Sequence, residues 1–333
     1  MQNLNQEQKL NPKLGTQDIE QAATRDGFGT GLVELGAKDD NVVALTADLA
    51  ESTRILPFAQ KFPERFVELG VAEQNMIGVA AGMALAGKIP FAASYATFSP
   101  GRSWDQVRVS VCYSQANVKV VGAHTGVSVG PDGATHQALE DIAITRVLPN
   151  LVVVQPCDSI EAHKATLAIG IHKGPAYLRL TREKTPVITS ESSPFVLGKA
   201  NILKDGSDVA IIACGPLVYN ALQAAVQLEE QGINAMVVNN HTIKPLDQKT
   251  IRAAAQKTGA IVTVEEHQIA GGMGSAVAEF LAQEHPVPIE FIGMPDSFGE
   301  SGQPEELMAK YGMDVDSIIK AAKNAIKKAS SKI

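Results

Sequence analysis

Glu73 is the first side chain whose position points to chemistry. It lies in the segment 66–87, FVELGVAEQNMIGVAAGMALAG, which is otherwise rich in Gly, Ala and aliphatic residues. The pattern predicts a short buried strand at 66–70 and a helix at 72–86, so Glu73 falls at a strand-to-helix turn, where open α/β sheets place their ligand sites. A carboxylate in apolar surroundings costs free energy unless it is paired. Glu73 could thus belong to a ligand site. The alternative is that Glu73 has only a structural role, as an acidic residue that the helix dipole favours at the start of a helix.

Five further segments carry side chains that could bind a ligand or move protons. They are AATRDGFG (22–29), TADLAES (46–52), SYATFSPGRSWDQVR (94–108), GAHTGVSVGPDGATHQ (122–137) and LRLTRE (178–183). An imidazole that titrates near neutral pH suits proton transfer, which makes His124 and His136 candidates. Arg25 and Arg182 could hold a phosphate, because a guanidinium binds it through two parallel hydrogen bonds.

Several of these residues also have a purely structural interpretation. Asp48 could cap the turn after a strand, and Asp132 with Gly133 could form an ordinary turn. Trp104 could be a core residue, and Arg25 could be a solvated cation at a helix start. The sequence alone leaves these alternatives open.

Together the segments resemble the pyrimidine-binding domain of thiamine diphosphate enzymes, most closely the transketolase group. The similarity runs from about residue 20 to residue 325 and includes FGESG at 298–302. The resemblance implies that Glu73 hydrogen-bonds a ring nitrogen of the cofactor's aminopyrimidine and so activates the cofactor, which supplies the carbon–carbon chemistry. It places Phe98 against the pyrimidine and Asp48 near the thiazolium. Trp104 is a weaker candidate for the aromatic pocket, in which Gly101 replaces an expected aromatic residue.

The same resemblance assigns the remaining residues to a sugar phosphate. His124 is expected near the phosphate, Asp132 at the C2 hydroxyl of the acceptor and His136 beside the reacting oxygens. The phosphate itself is expected to be held by three further residues, Arg25, Ser52 and Arg182.

Short β-branched runs alternate with Ala-rich amphipathic stretches, which is typical of parallel α/β sheets. The predicted strands are 42–48, 66–70, 89–96, 118–124, 151–156, 176–181, 208–215, 233–239, 260–266 and 288–294, and the predicted helices include 72–86, 103–114 and 159–171. The segment 183–194 is typical of a linker. We therefore expect a flexible arm at 1–18, a pyrimidine-binding α/β domain with a parallel sheet at 19–190, and a smaller α/β transketolase C-terminal domain at 191–333.

Composition limits the class of protein. Of 333 residues 45% are hydrophobic and 20% charged, and the net charge of −7 comes without a long basic run, which argues against nucleic-acid binding. The scattered Cys112, Cys157 and Cys214 are predicted to be buried, unpaired core residues in a reducing compartment. No apolar run reaches the roughly 18 residues of a membrane span. Together with the polar start of the chain, this predicts a cytoplasmic location.

The resemblance does not include the transketolase domain that binds the diphosphate and Mg²⁺. Asp205-Gly206 and Asn239-Asn240 only faintly imitate that domain's motifs and are not expected to bind the diphosphate. The chain is therefore expected to be the C-terminal subunit of a split transketolase, with no metal ligands of its own. A separate N-terminal subunit would complete an α2β2 assembly that transfers a two-carbon ketol unit between sugar phosphates.

Three alternatives remain at this stage. A 1-deoxyxylulose-5-phosphate synthase shares the GVAEQ and DGxTHQ elements but is normally one long chain. The β subunit of a 2-oxoacid dehydrogenase has the same two domains but needs no sugar-phosphate pocket. A partner subunit without catalytic function is less consistent with the presence of Glu73.

Overall fold

The computed structural model describes residues 4–331 and confirms the predicted α/β class with parallel sheets. The first part of the chain contains strands β1 (Gln21–Ala22), β2 (Val42–Thr46), β3 (Phe66–Glu68), β4 (Ile89–Tyr95), β5 (Lys119–Ala123), β6 (Val152–Val154), β7 (Ala176–Arg179) and β8 (Thr185–Pro186). Its helices are α1 (Thr24–Lys38), α2 (Leu56–Lys61), α3 (Glu73–Leu85), the single turn α4 (Trp104–Gln106), α5 (Asp141–Arg146) and α6 (Ser159–Ile171).

The second part contributes six strands and five helices. The strands are β9 (Asn201–Lys204), β10 (Val209–Ala213), β11 (Ala235–Asn239), β12 (Thr242–Lys244), β13 (Ile261–Gln268) and β14 (Ile289–Met294). The helices are α7 (Leu217–Glu229), α8 (Gln248–Thr258), α9 (Met273–Glu284), α10 (Pro304–Lys310) and α11 (Val315–Ser330). Short 3-10 helices cover Gln6–Gln8, Pro63–Arg65 and Val127–Asp132, and a π-helix covers Val107–Tyr113.

A seven-stranded sheet in the order β12-β6-β7-β5-β4-β2-β3 forms the first domain, and all of its pairs are parallel except β12 with β6. Its central strands β2 and β5 are buried along their whole length, as expected for strands covered on both faces. The prediction of a buried strand at 66–70 is wrong in detail. Strand β3 ends at Glu68, pairs only with β2 and is half-buried to exposed, because it lies at the edge of the sheet.

Helices α1 and α6 pack closely on one face of this sheet. A Cβ at Gly27 would lie 1.8 Å from the carbonyl oxygen of Ser159, so only glycine permits this approach. The predicted helix at 103–114 is instead one α-turn followed by the π-helix. Hydrophobic periodicity does not distinguish these two windings.

A five-stranded sheet in the order β14-β13-β10-β11-β9 forms the second domain, with only β9 antiparallel. Strands β9 and β12 were not predicted, since both are short and pair with residues far away in the sequence. Strand β12 leaves this domain and joins the first sheet, with Thr242 opposite Val154. The domain boundaries given above remain predictions, but the two parts share one sheet edge.

The segments expected to be flexible or linking make specific hydrogen bonds. The side chain of Asn5 donates to the carbonyl of Ile202 at 3.0 Å, and that of Asn11 donates to Val187 at 2.7 Å. In the predicted linker 183–194, β8 pairs with β1, and the backbone N–H of Thr189 donates to Asp158. Residues 1–3 of the arm lie outside the described residues.

All three cysteines are buried and unpaired, which confirms that prediction. Within residues 4–331, no helix combines the length and the apolar character needed to cross a membrane.

Candidate active site

The candidate residues gather where the strands of the first sheet end. Asp48 follows β2, Phe98 follows β4, His124 follows β5 and Arg182 follows β7. In parallel sheets these carboxyl ends meet at one edge, where ligands bind. Glu73 is the first residue of α3.

Glu73 is a buried carboxylate with a partly exposed partner. Its side chain is only 2% exposed, and its Oε2 accepts a hydrogen bond from Nη1 of Arg102 at 2.7 Å. The Arg102 side chain is 49% exposed, and its guanidinium carbon lies 4.6 Å from the ring centre of Phe98. One arginine thus contacts both residues that the resemblance assigns to the pyrimidine of the cofactor, Glu73 and Phe98. The sequence analysis did not single out Arg102, although it lies in the same segment as Phe98.

A group of rings connects Phe98 to the two histidines. The Tyr95 and His124 rings stack at 3.8 Å between centres, and Phe98 meets His136 edge-on at 5.4 Å. Tyr95 also lies 6.1 Å from both Phe98 and His136. Tyr95 was not predicted to be a site residue, because the sequence pattern indicates only that it ends a strand. Phe98 joins the Glu73 side of the site to the histidine side.

Arginines lie beside the histidines. Nη1 of Arg25 donates to the carbonyl of Ser52 at 2.9 Å and lies 3.4 Å from Nε2 of His124. The buried Nε of Arg25 has no hydrogen-bond partner among residues 4–331. Burial and the nearby Arg54 lower the pKa of Arg25. The guanidinium groups of Arg25 and Arg54 repel each other, and the Nε–H of Arg25 is unused. Such an arrangement is suited to binding an anion.

Arg182 contacts the segment 122–137, which the resemblance implies is a substrate loop. Its Nη1 donates to the carbonyl of Val129 at 2.8 Å and lies 3.6 Å from the carboxylate of Asp132. Asp132 is partly exposed and therefore accessible to a ligand. His136 is half-buried, and its Nδ1 lies 2.9 Å from the hydroxyl of Thr135.

His124 is held in its neutral form. Burial, followed by the charges of Arg25 and Arg182, lowers the pKa of His124 to about 3. Its backbone has φ 56°, a left-handed conformation that non-glycine residues rarely adopt. A neutral imidazole carries one hydrogen-bond acceptor and one donor at pH 7.

The second domain holds the substrate loop in place. Oε1 of Glu266 accepts the backbone N–H of Ser128 at 2.5 Å. The side-chain amide of Gln137 donates to the carbonyls of Val127 and, across the domain boundary, Glu300. Sequence reasoning missed Glu266, since nothing near it in the sequence indicates contact with residue 128.

Two candidates are less well supported by the geometry. The indole nitrogen of Trp104 donates to the carbonyl of Ile144 at 2.7 Å, and the ring packs against the core, which favours the core interpretation. Asp48 is exposed with φ 59°, and its backbone N–H donates to Glu68. Its role near a thiazolium remains a prediction.

The pyrimidine end of thiamine diphosphate fits this site. Glu73 offers a buried carboxylate, Phe98 offers a ring face, and the buried hydroxyl of the adjacent Thr97 lacks a hydrogen-bond partner among residues 4–331. No group of three or more His, Cys, Asp or Glu in the described part of the chain could hold a metal ion. The motif-like Asp205 binds Lys257 instead, and Asn239 donates to Glu161 inside the protein.

Comparison with known proteins decides the family. Residues 20–187 match the transketolase pyrimidine binding domain, and residues 198–318 match the transketolase C-terminal domain. The chain belongs to the transketolase family. This confirms the predicted order of the pyrimidine-binding and C-terminal folds.

Similar transketolase chains include separate subunits of similar length. A protein of Methanocaldococcus jannaschii, provisionally named a transketolase C-terminal section, is 47% identical over 91% of this chain and 96% of its own. The 6-deoxy-6-sulfo-D-fructose transketolase subunit SqwH of Clostridium sp. is 44% identical over 91% and 94%. A solved split-gene transketolase, an inactive β4 tetramer, has a TM-score of 0.87 and 44% identity over 92% of this chain and 99% of that one. These matches confirm the predicted likeness to the C-terminal subunit of a split transketolase.

Proposed function

We propose that this chain, together with a separate N-terminal subunit, transfers a two-carbon ketol unit from a ketose phosphate to an aldose phosphate with thiamine diphosphate. The observation that carries the proposal is the buried Glu73 carboxylate, linked through Arg102 and Phe98 to the two histidines and their arginines. Its full-length relatives are named as sections or subunits, which favours this interpretation over a one-chain 1-deoxyxylulose-5-phosphate synthase.

Glu73 and Phe98 would hold the pyrimidine of the cofactor. When bound, thiamine diphosphate supplies the carbon–carbon bond chemistry. The buried carboxylate of Glu73 can share a proton with a ring nitrogen, and the Phe98 ring excludes water from one face. Asp48 would lie towards the thiazolium, and Trp104 would support the pocket from the core.

The histidine side would bind and orient the sugar phosphate. Neutral His124 can accept a hydrogen bond, and the half-exposed His136 can exchange protons with the sugar oxygens. Asp132 would bind a sugar hydroxyl. The phosphate would be held by the arginine side chains of Arg25 and Arg182 together with Ser52.

The partner subunit would hold the diphosphate and Mg²⁺. We propose an α2β2 assembly in which two copies of this chain pair through their pyrimidine-binding domains, each joined by one N-terminal subunit. Exposed apolar side chains on and beside α3, namely Val71, Leu85, Val109 and Tyr113, are suited to a large apolar interface. The similar split-gene protein is inactive as a β4 tetramer, which supports the proposal that this chain alone is inactive. We also place the reaction in the pentose phosphate pathway as part of this proposal, and the cytoplasmic location remains a prediction.

The first experiment is reconstitution with the N-terminal subunit and a Glu73→Gln variant. Turnover of xylulose 5-phosphate that depends on thiamine diphosphate and Mg²⁺ is expected only when both subunits are present. Glu73→Gln should lower kcat at least about 100-fold, because the amide cannot share a proton in the same way. Glu305→Gln, at an exposed position of α10, should leave turnover unchanged.

Three outcomes would contradict the proposal. Full turnover by this chain alone would refute the split subunit, and full activity in Glu73→Gln would favour a partner without catalytic function. Lipoamide-dependent turnover by the reconstituted pair would favour a 2-oxoacid dehydrogenase.

A further inference from the structure

Arg102 makes the two contacts that a pyrimidine at Glu73 would need. Its Nη1 donates to Oε2 of Glu73 at 2.7 Å, and its guanidinium lies over the Phe98 ring at 4.6 Å. A guanidinium is a planar cation that carries N–H donors along its edge and packs on aromatic faces. It therefore satisfies the same carboxylate and the same ring face as a protonated aminopyrimidine.

Glu73 and Phe98 cannot contact Arg102 and a pyrimidine ring at the same time. A ring that hydrogen-bonds to Glu73 while it stacks on the same face of Phe98 has to fill the space between them, and the guanidinium lies there. We propose that Arg102 closes the pyrimidine site while no cofactor is bound, in the assembled complex as in the free subunit, and has to leave it when the cofactor binds. This inference rests on the proposed function of Glu73 and Phe98.

Arg102 is placed so that it can leave. Its side chain is 49% exposed, whereas that of Glu73 is 2% exposed, so the cover over the carboxylate faces the solvent. Among residues 4–331, the polar and ring contacts of this guanidinium are those with Glu73 and Phe98. The backbone carbonyl of Arg102 accepts a long hydrogen bond, 3.4 Å, from the side chain of Gln74. Rotation of one side chain would open the site without moving the backbone.

Arg102 stabilises the pyrimidine site while the cofactor is absent. It keeps the buried carboxylate paired while no cofactor is present, so Glu73 is not left as an isolated charge in an apolar site. The cost appears in cofactor affinity, because the apparent Kd equals the intrinsic Kd divided by the fraction of open sites. An Arg102 that is away from Glu73 about one-tenth of the time would weaken binding about tenfold.

The test measures thiamine diphosphate binding to the assembled complex by calorimetry at saturating Mg²⁺. Arg102→Met keeps an unbranched apolar side chain but removes the charge and the N–H donors, and it should tighten the Kd about tenfold. Arg102→Lys retains a cation without the planar fork and should give an intermediate Kd. Arg108→Met, an exposed arginine two turns further along the same segment, is the matched control and should leave the Kd unchanged. Thermal unfolding of each complex establishes that the variants are folded.

The outcomes separate this inference from the proposed function. An unchanged or weaker Kd in Arg102→Met, with a weaker Kd in Glu73→Gln, would overturn the covering role and leave the proposed function intact. An unchanged Kd in Glu73→Gln would instead remove Glu73 from the cofactor site, and the proposed function would fail with it.

Discussion

Two buried carboxylates, Asp141 and Glu73, are each paired with an arginine, but the two arginines are held very differently. Arg179 is 0% exposed and binds Asp141 through both Nε and Nη2, at 2.7 and 3.0 Å. The hydroxyl of Tyr177 donates to the same carboxylate at 2.7 Å. Arg102 makes one hydrogen bond to Glu73 and is half exposed.

The position of each pair in the fold explains this difference. Arg179 lies on β7 of the first sheet and donates to the carbonyl of Glu266 on β13 of the second domain. Nη2 of Arg179 lies 3.0 Å from that carbonyl, so the Asp141–Arg179 pair connects the two domains. The contacts of the Arg102 guanidinium in the described residues are with Glu73 and Phe98, both in the first domain. A fully buried ion pair held through two nitrogens of its arginine is structural, and one with a solvent-facing partner leaves room for a ligand.

Loss of Arg179 should give the largest effect on stability. Arg179→Met leaves Asp141 as an unpaired buried carboxylate, and the free energy of unfolding should fall by about 3–5 kcal/mol. Arg102→Met should cost less than about 1 kcal/mol, because loss of its cover gives Glu73 access to water. Urea unfolding of this chain, followed by circular dichroism, measures both values. Equal costs for the two variants would remove the distinction between the pairs.

Part of the pH dependence of stability should arise in the site, at His124. His124 has its pKa lowered to about 3 in the folded chain, against about 6.5 when unfolded, so the unfolded chain binds more protons between these values. Stability is therefore lost as the pH falls below about 6.5, by about 1.4 kcal/mol per pH unit. Burial alone would raise the pKa of Asp141, but Arg179 holds it below its usual value, so that pair stays charged in this range.

Urea unfolding at pH 7.5 and pH 5.5 tests this sign. His124→Asn should lose less stability over this interval than the unsubstituted chain, by about 1.4 kcal/mol. The same loss in both proteins would mean that folding does not lower the pKa of His124.

The smallest expected effect is the response of the two pairs to salt. A double-mutant cycle of Glu73→Gln with Arg102→Met should give a coupling energy of about 0.5–1 kcal/mol at low salt. This coupling should decrease in about 0.5 M NaCl, because ions screen a half-exposed arginine. A matching cycle of Asp141→Asn with Arg179→Met should give a larger coupling that salt leaves unchanged. A salt-independent coupling at Glu73 would show that the pair is shielded from solvent.

The sequence predicted that several candidate residues lie just beyond the ends of strands, and their roles remain predictions. The alternation of strands and helices places Glu73, Phe98 and His124 at the carboxyl edge of a sheet, and the structure brings Phe98 into contact with His136 and, through Arg102, with Glu73. Such predictions succeed because strand periodicity is a local property of the sequence.

The residues that were missed make their decisive contacts with distant parts of the chain. Arg102 is one of two arginines in GRSWDQVR, and nothing in that segment shows which of them contacts Glu73. Glu266 reaches the N–H of Ser128 across the domain boundary. Strand β12 has only three residues, too few for an alternation signal, and its partner β6 precedes it by about 90 residues. Tertiary pairing of this kind is not encoded in local patterns.

The shared sheet edge has a consequence for any attempt to divide the chain. Thr242 and Lys244 cover Val154 and Val153, so β6 has a neighbour on each side only while the second domain is present. A fragment that stops at residue 190 leaves the N–H and C=O groups on one side of β6 open, as a template for pairing with other chains. The first domain produced alone is therefore expected to aggregate, and the halves of this protein do not behave as exchangeable modules.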